Sequence, residues 1–308
     1  MHAFGDELIA PANGIELCYQ EMGDADGEPL LLVMGLATQM LAWDEGFCGL
    51  LVERGFRVIR FDNRDIGRST KIESAGVPRR LDMMAGRRAS APYLLRDLAA
   101  DTVGLMDHLD VESAHIAGAS MGGMIGQVLA AEHPEIVRSL TSIMSNTGSR
   151  WNGHPAPAML RWLLKAPPST RDQVVDRAAA IFGIVGSKDL HDEEHIREMA
   201  GRSYDRNHDP RGPGRQLGAI IATGDRGQML STIEAPTLVI HGTRDKLVRP
   251  SGGKATAKAI PDSRLKKVEG MGHDLPRPLW DELIADISRH AKAADSAGVR
   301  PSAAAVSP

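Results

Sequence analysis

Five consecutive apolar residues, Leu30-Leu31-Leu32-Val33-Met34, stand between Pro29 and Gly35. A run this short is a strand rather than a membrane helix. Apolar side chains at every position mean that both of its faces are buried, as in a parallel sheet covered on both sides. The pattern recurs at Val58-Ile59-Arg60-Phe61, His115-Ile116-Ala117, Leu140 to Met144, Thr237-Leu238-Val239-Ile240 and Leu265 to Val268. Helical spacing fills the intervals. Phe47, Leu50, Leu51 and Arg54 share one face that Gly55 ends, Leu94, Leu98, Leu105 and Leu109 share another, and a third helix runs from Met121 to Glu132 before Pro134. Strand and helix in alternation predict an α/β fold with a mostly parallel sheet and helices on both faces.

The alternation stops between Ser145 and Gln228, where helical segments around Met159 to Leu164, Gln173 to Phe182 and Glu193 to Met199 follow one another. An insertion between two strands lies over their carboxyl ends, where open α/β sheets bind ligands. The expected organisation is therefore a core of residues 1–144, an inserted helical cap of 145–228, the rest of the core over 229–291 and a disordered tail of 292–308. Met159, Leu160, Trp162, Leu163, Ile181, Phe182 and Ile184 suit either the cap's own packing or an acyl pocket.

Composition narrows the function. With 36 Lys and Arg against 40 Asp and Glu, the chain of 308 residues carries a net charge of -4 and lacks the overall basicity of a nucleic-acid binder. No stretch is long and apolar enough to span a membrane, and Met1 to Leu8 includes Asp6 and Glu7 instead of an apolar leader core. The two cysteines, Cys18 and Cys48, form neither a disulfide framework nor a metal-ligand spacing. A cytoplasmic protein with a small-molecule partner is expected; a homodimer is left open.

The chemistry is concentrated in Gly118-Ala119-Ser120-Met121-Gly122, a G-x-S-x-G sequence placed between a strand and a helix. A nucleophile on so tight a turn crowds the residues two positions away, and Gly118 and Gly122 are the small residues this requires. Partners follow in the order Ser, Asp, His. Asp245 lies in the loop after Thr237 to Ile240, and His273 lies after the strand ending at Val268, among Gly270-Met271-Gly272. His273 is then the general base for Ser120, and Asp245 orients and stabilises its imidazole. The backbone N–H groups of Met121 and of Leu36, after Gly35, are the expected oxyanion donors.

These patches resemble the serine α/β-hydrolases, and more narrowly the bacterial esterase group of aclacinomycin methylesterase. Besides the serine turn, the resemblance rests on Leu32-Val33-Met34-Gly35-Leu36 with Gln39 and Trp43, on the run from Val58 through Asp62-Asn63-Arg64-Asp65-Ile66-Gly67-Arg68-Ser69, on Thr237 to Ile240 and on Gly270 to Pro276. Many relatives carry His where this chain has Met34. The resemblance implies an α/β-hydrolase fold and hydrolysis of carboxylic esters through an acyl-serine, with no cofactor and no metal. Lactone, thioester or C–C cleavage, perhydrolysis and a ligand sensor without turnover use the same residues.

Other motifs have plainer readings. His191-Asp192-Glu193-Glu194-His195 fits an H-x-x-E-H zinc pattern but lies in a strongly charged segment of the insertion. Asp62 to Asp65 reads as a turn held by polar side chains, and Arg79, Arg80, Arg87 and Arg88 as a solvated loop.

Overall fold

The computed structural model describes residues 4–78, 91–157, 159 and 167–297. Its centre is an eight-stranded sheet in the order β1-β2-β4-β3-β5-β6-β7-β8. The strands are β1 (Leu8–Ala12), β2 (Ile15–Met22), β3 (Glu28–Val33), β4 (Phe56–Phe61), β5 (Ala114–Ala119), β6 (Val137–Ile143), β7 (Thr237–Gly242) and β8 (Arg264–Val268). From β4 onward all pairings are parallel, and Ile116 of β5 sits level with Leu31 of β3 and Leu140 of β6.

The apolar run of β3 divides between two cores. Leu31 and Val33 face the helices α2 (Leu95–His108) and α3 (Met121–Glu132), among Leu98, Leu105, Ile125 and Leu129. Leu30 and Leu32 face α1 (Glu45–Val52) and α9 (Trp280–Ser296), among Phe47, Leu51, Leu283 and Ile287. A one-residue slip of β3 would exchange these sets, so register is fixed by burial on both sides.

Two strands and one boundary depart from the sequence reading. β1 and β2 form an antiparallel hairpin that carries the sheet beyond β4. Its turn is Asn13-Gly14, both residues at positive φ, 48° and 76°, as a two-residue type I′ turn demands. The expected tail boundary at 292 falls inside α9, which continues through Ser296, buries Ala294 and pairs Asp295 with Arg138. Of the expected helix around Met159 to Leu164 only Met159, which is buried, is among the described residues, and the four loop arginines lie outside them.

Between β6 and β7 come the helices α4 (Arg171–Val185), α5 (Glu193–Arg206), α6 (Gly212–Thr223) and the single turn α7 (Gly227–Leu230). Buried arginines tie them to the sheet. Arg206 Nη1 lies 2.7 Å from Asp62, whose side chain is fully buried, and its Nε lies 2.7 Å from Glu7. Arg215 bonds Asp65 at 2.7 Å and Asp209 at 3.0 Å. Gln39 donates to the carbonyls of Ser203 and Asn207, and Gln216 accepts from Ala37 N–H while donating to Arg64 O. Asp62 and Asp65 thus do more than close a local turn. They receive the insertion. After β7 come α8 (Ser251–Ala259), β8 and α9. Among the described residues no helix is long and apolar enough to cross a membrane.

Candidate active site

Ser120 caps the N-terminus of α3 at φ 56° and ψ -115°, a backbone state that costs a non-glycine residue of order 1–3 kcal/mol and persists only when its surroundings enforce it. The enforcement is visible. Ser120 N–H donates to Ile143 O at 2.9 Å, and its carbonyl accepts from Met124 N at 3.2 Å. A Cβ on Gly118 would come within 2.2 Å of Gly122 O, and one on Gly122 within 2.0 Å of Val33 O. The strand can therefore pass into the helix this sharply only with glycine at both positions.

The side chain of Ser120 reaches His273, with Oγ 3.0 Å from Nε2, and His273 Nδ1 lies 2.7 Å from Asp245 Oδ2. The other carboxylate oxygen of Asp245 accepts from Leu247 N–H at 2.9 Å and Val248 N–H at 2.8 Å, which fixes the carboxylate plane. Ser120 is partly exposed, whereas Asp245 and His273 are buried. All three sit at carboxyl ends of parallel strands: Ser120 directly after β5, Asp245 after β7 and His273 after β8. The tautomer consistent with this chain has Nδ1–H donating to Asp245 and Nε2 accepting the serine proton.

Gly35 runs beside Ser120. A Cβ there would stand 3.2 Å from Ser120 Cβ, so a side chain at 35 would press on the serine. Asn63 Nδ2 donates to Met34 O at 2.9 Å, and Ala37, at φ 62°, gives its N–H to Gln216. Between these two anchors, Leu36 N–H has no protein acceptor among the described residues, and Met121 N–H, at the first turn of α3, is one of the donors a helix leaves unpaired. The dipole of α3 adds partial positive charge at the same place.

One residue beside Asp245 went unassigned from sequence. His241, on β7, is buried, places Nε2 2.8 Å from Val248 O and 3.5 Å from Asp245 Oδ2, and burial is the main cause pushing its pKa down. It is a neutral imidazole that donates to the turn holding Asp245. A cleft of about 350 Å³ is lined by Gly186, Thr243, Asp245 and Arg249, and Ser120 does not line it.

The zinc-like motif does not assemble. His195 faces Asp44 at 3.4 Å and Arg277 at 3.1 Å, and Asp192 caps α5. Among the described residues the one cluster with metal-like spacing is Glu28, His115 and Asp295. The guanidinium of Arg138 already bridges its two carboxylates, at 2.5 Å and 2.6 Å.

A strained serine at a strand-to-helix turn, a histidine and a carboxylate on successive strand ends, and this strand order define an α/β-hydrolase. Residues 28–276 match the model of the alpha/beta hydrolase fold family, and the chain belongs to that family. Rhodomycin D methylesterase of Streptomyces peucetius is 28% identical over 302 residues, covering 91% of this chain and 96% of the relative. The rhodomycin D methylesterase of Streptomyces sp. (strain C5) is 27% identical with the same coverage. Among solved structures, the enol-lactonase from Burkholderia xenovorans LB400 superposes with a TM-score of 0.73 at 24% identity, covering 92% of this chain and all of its own.

Proposed function

We propose that the protein is a serine hydrolase of carboxylic esters, with Ser120, His273 and Asp245 as its catalytic triad. The observation that carries the reading is the continuous hydrogen-bonded chain from Ser120 Oγ to His273 at 3.0 Å and on to Asp245 at 2.7 Å. Similarity to two proteins named as methylesterases supports an ester as the substrate class.

In this mechanism His273 Nε2 takes the Ser120 proton as Oγ bonds to the ester carbonyl carbon, and the carbonyl π electrons move onto oxygen. The N–H groups of Leu36 and Met121 receive that oxyanion. Collapse breaks the bond to the alkoxide, which leaves as an alcohol with the proton from His273. Water then loses a proton to His273 as it attacks the acyl-serine, and the second collapse releases the carboxylic acid and restores Ser120. Asp245 holds the tautomer and stabilises the imidazolium. The helical insertion of residues 145–228 is the cap of this site, a reading supported by the bond from His273 N–H to Val185 O at 2.7 Å. A cytoplasmic location is in keeping with Cys18 and Cys48, both free and buried.

A series of p-nitrophenyl esters of increasing acyl length tests the reading. Repeated turnover on at least one ester, abolished in Ser120→Ala, is expected. A single stoichiometric acylation with no release would instead mark a sensor.

A further inference from the structure

The loop that carries His273 is tied to the helical insertion by a strap of three consecutive residues on each side. His273 N–H donates to Val185 O at 2.7 Å, and Gly272 N–H donates to Ser187 Oγ at 2.8 Å. Ser187 Oγ–H donates to Asp274 Oδ1 at 2.6 Å, while Ser187 N–H reaches both carboxylate oxygens of Asp274 at 3.0 Å. Val185 and Ser187 are buried, at 1% and 0% exposure, so the bonds to Gly272 and His273 are shielded from bulk water, while Asp274 is half-buried.

The backbones meet directly. A Cβ on Gly272 would come within 2.3 Å of the carbonyl carbon of Gly186, so glycine at 272 is what lets the two segments touch. On the sheet side the same loop is held through Gly270 N–H to Thr243 Oγ1 and through Arg244 N–H to Met271 O, both ahead of the histidine. At Gly272 and His273 the backbone N–H groups are held by the insertion, the His273 ring by Asp245, and from Leu275 the core takes over through Trp280 Nε1–H to Leu275 O at 2.8 Å.

Resting on the esterase reading, we infer that Ser187 and Asp274 are positioning residues that hold His273 within reach of Ser120, so that the end of α4 is part of the catalytic apparatus. Neither touches the reacting atoms. Their effect passes through the backbone of Gly272 and His273. The arrangement makes base geometry dependent on docking of the insertion, and a cap that lifted at Val185 to Ser187 would disarm the base.

Because one strap acts as one unit, removing either end should forfeit most of its effect. Ser187→Ala and Asp274→Ala should each lower kcat for a p-nitrophenyl ester by roughly 10 to 100-fold, the range that a misplacement of order 1 Å produces, with KM within about twofold of wild type. The double variant should lose no more than either single one, whereas independent sites would multiply their losses. Phosphonylation of Ser120 by a fluorophosphonate should slow in the same proportion, and thermal unfolding must show each variant folded at the assay temperature. Asp274→Leu, which keeps the shape without an acceptor, replaces Asp274→Ala if that variant fails to fold, and Ser187→Cys, whose thiol hydrogen-bonds weakly, replaces Ser187→Ala. Folded variants with unchanged kcat, or losses that multiply, overturn the strap. Wild-type protein that neither turns over nor labels overturns the esterase reading, and this inference with it.

Discussion

Asp245 Oδ2 stands 2.7 Å from His273 Nδ1 while Oδ1 of the same carboxylate is held by the N–H groups of Leu247 and Val248. One oxygen is structural and the other faces the His273 imidazole. Asp245→Asn can retain the backbone bonds through its amide oxygen but turns an N–H donor toward His273. The wrong tautomer then dominates, and turnover should fall by up to ~10⁴ with the thermal midpoint nearly unchanged. Steady-state kinetics alongside thermal unfolding would check both halves. A folded Asn variant retaining wild-type kcat would move the acid elsewhere.

Glycine at the Ser120 turn is a steric requirement that a paired substitution can isolate. Gly122→Ala would drive a methyl to 2.0 Å from Val33 O and should cost about 3 kcal/mol or more, or prevent folding. Gly49, within α1, has no atom within 4 Å of its would-be Cβ. Gly49→Ala should therefore stabilise by about 1 kcal/mol, the helix-propensity difference. Urea unfolding of both variants decides the matter. Equal effects of the two would remove the steric argument.

The docking of α5 rests on an arginine that faces a fully buried carboxylate. Arg206→Met leaves Asp62 uncompensated and should cost about 3–5 kcal/mol, as breaking a buried pair does. Arg171, half-exposed and paired with the exposed Asp205, should be replaceable by alanine without a change in unfolding midpoint. A small loss for Arg206→Met would mean that the insertion is held by its apolar packing alone.

Acid should weaken the fold through imidazoles held wholly or largely out of water. Burial pushes His290 down to about 4, although Nε2–H is accepted by Leu140 O and Pro236 O, and burial lowers His115 and His241 as well. A histidine whose folded pKa lies below its unfolded value of about 6.5 binds protons preferentially when unfolded. Its stability is intact above pH about 6.5 and is lost progressively as the pH falls toward 4. For His290 that loss is on the order of 3 kcal/mol. Urea unfolding between pH 7.5 and 4.5 should show the decline, and His290→Gln, which keeps an N–H donor, should flatten it. An unchanged slope in the Gln variant would deny His290 this part.

The parts of the fold that declare themselves in sequence are those buried on two sides or forced by a short turn. Leu30 to Val33 is legible because every position is apolar, and Ser120, Asp245 and His273 because each follows a strand within a few residues. The β1–β2 hairpin is harder to see. Leu8 and Ile9 are about half exposed at the sheet edge, and Pro11 within β1 is a residue the sequence pattern of a strand does not favour, so only Asn13-Gly14 announces the turn. The end of α9 is masked by its small residues, although Ala294 packs inward. Asp62 shows the deeper limit. Its bond to Arg68 N–H closes a local turn that spacing suggests, but its pair with Arg206 joins segments far apart in the chain and leaves no periodicity to read. The same holds for Ser187 and Asp274.

The central claim is that Ser120 becomes covalently acylated during turnover. Rapid acid quench of the enzyme with excess p-nitrophenyl acetate, followed by peptide mass spectrometry, tests it directly. One acetyl group should appear on the peptide containing Ser120, decay as substrate is exhausted and be absent from Ser120→Ala, which should retain only a background of ~10³–10⁴ over water. Full turnover by Ser120→Ala, or acetyl carried by another residue at the rate of the reaction, would contradict the account.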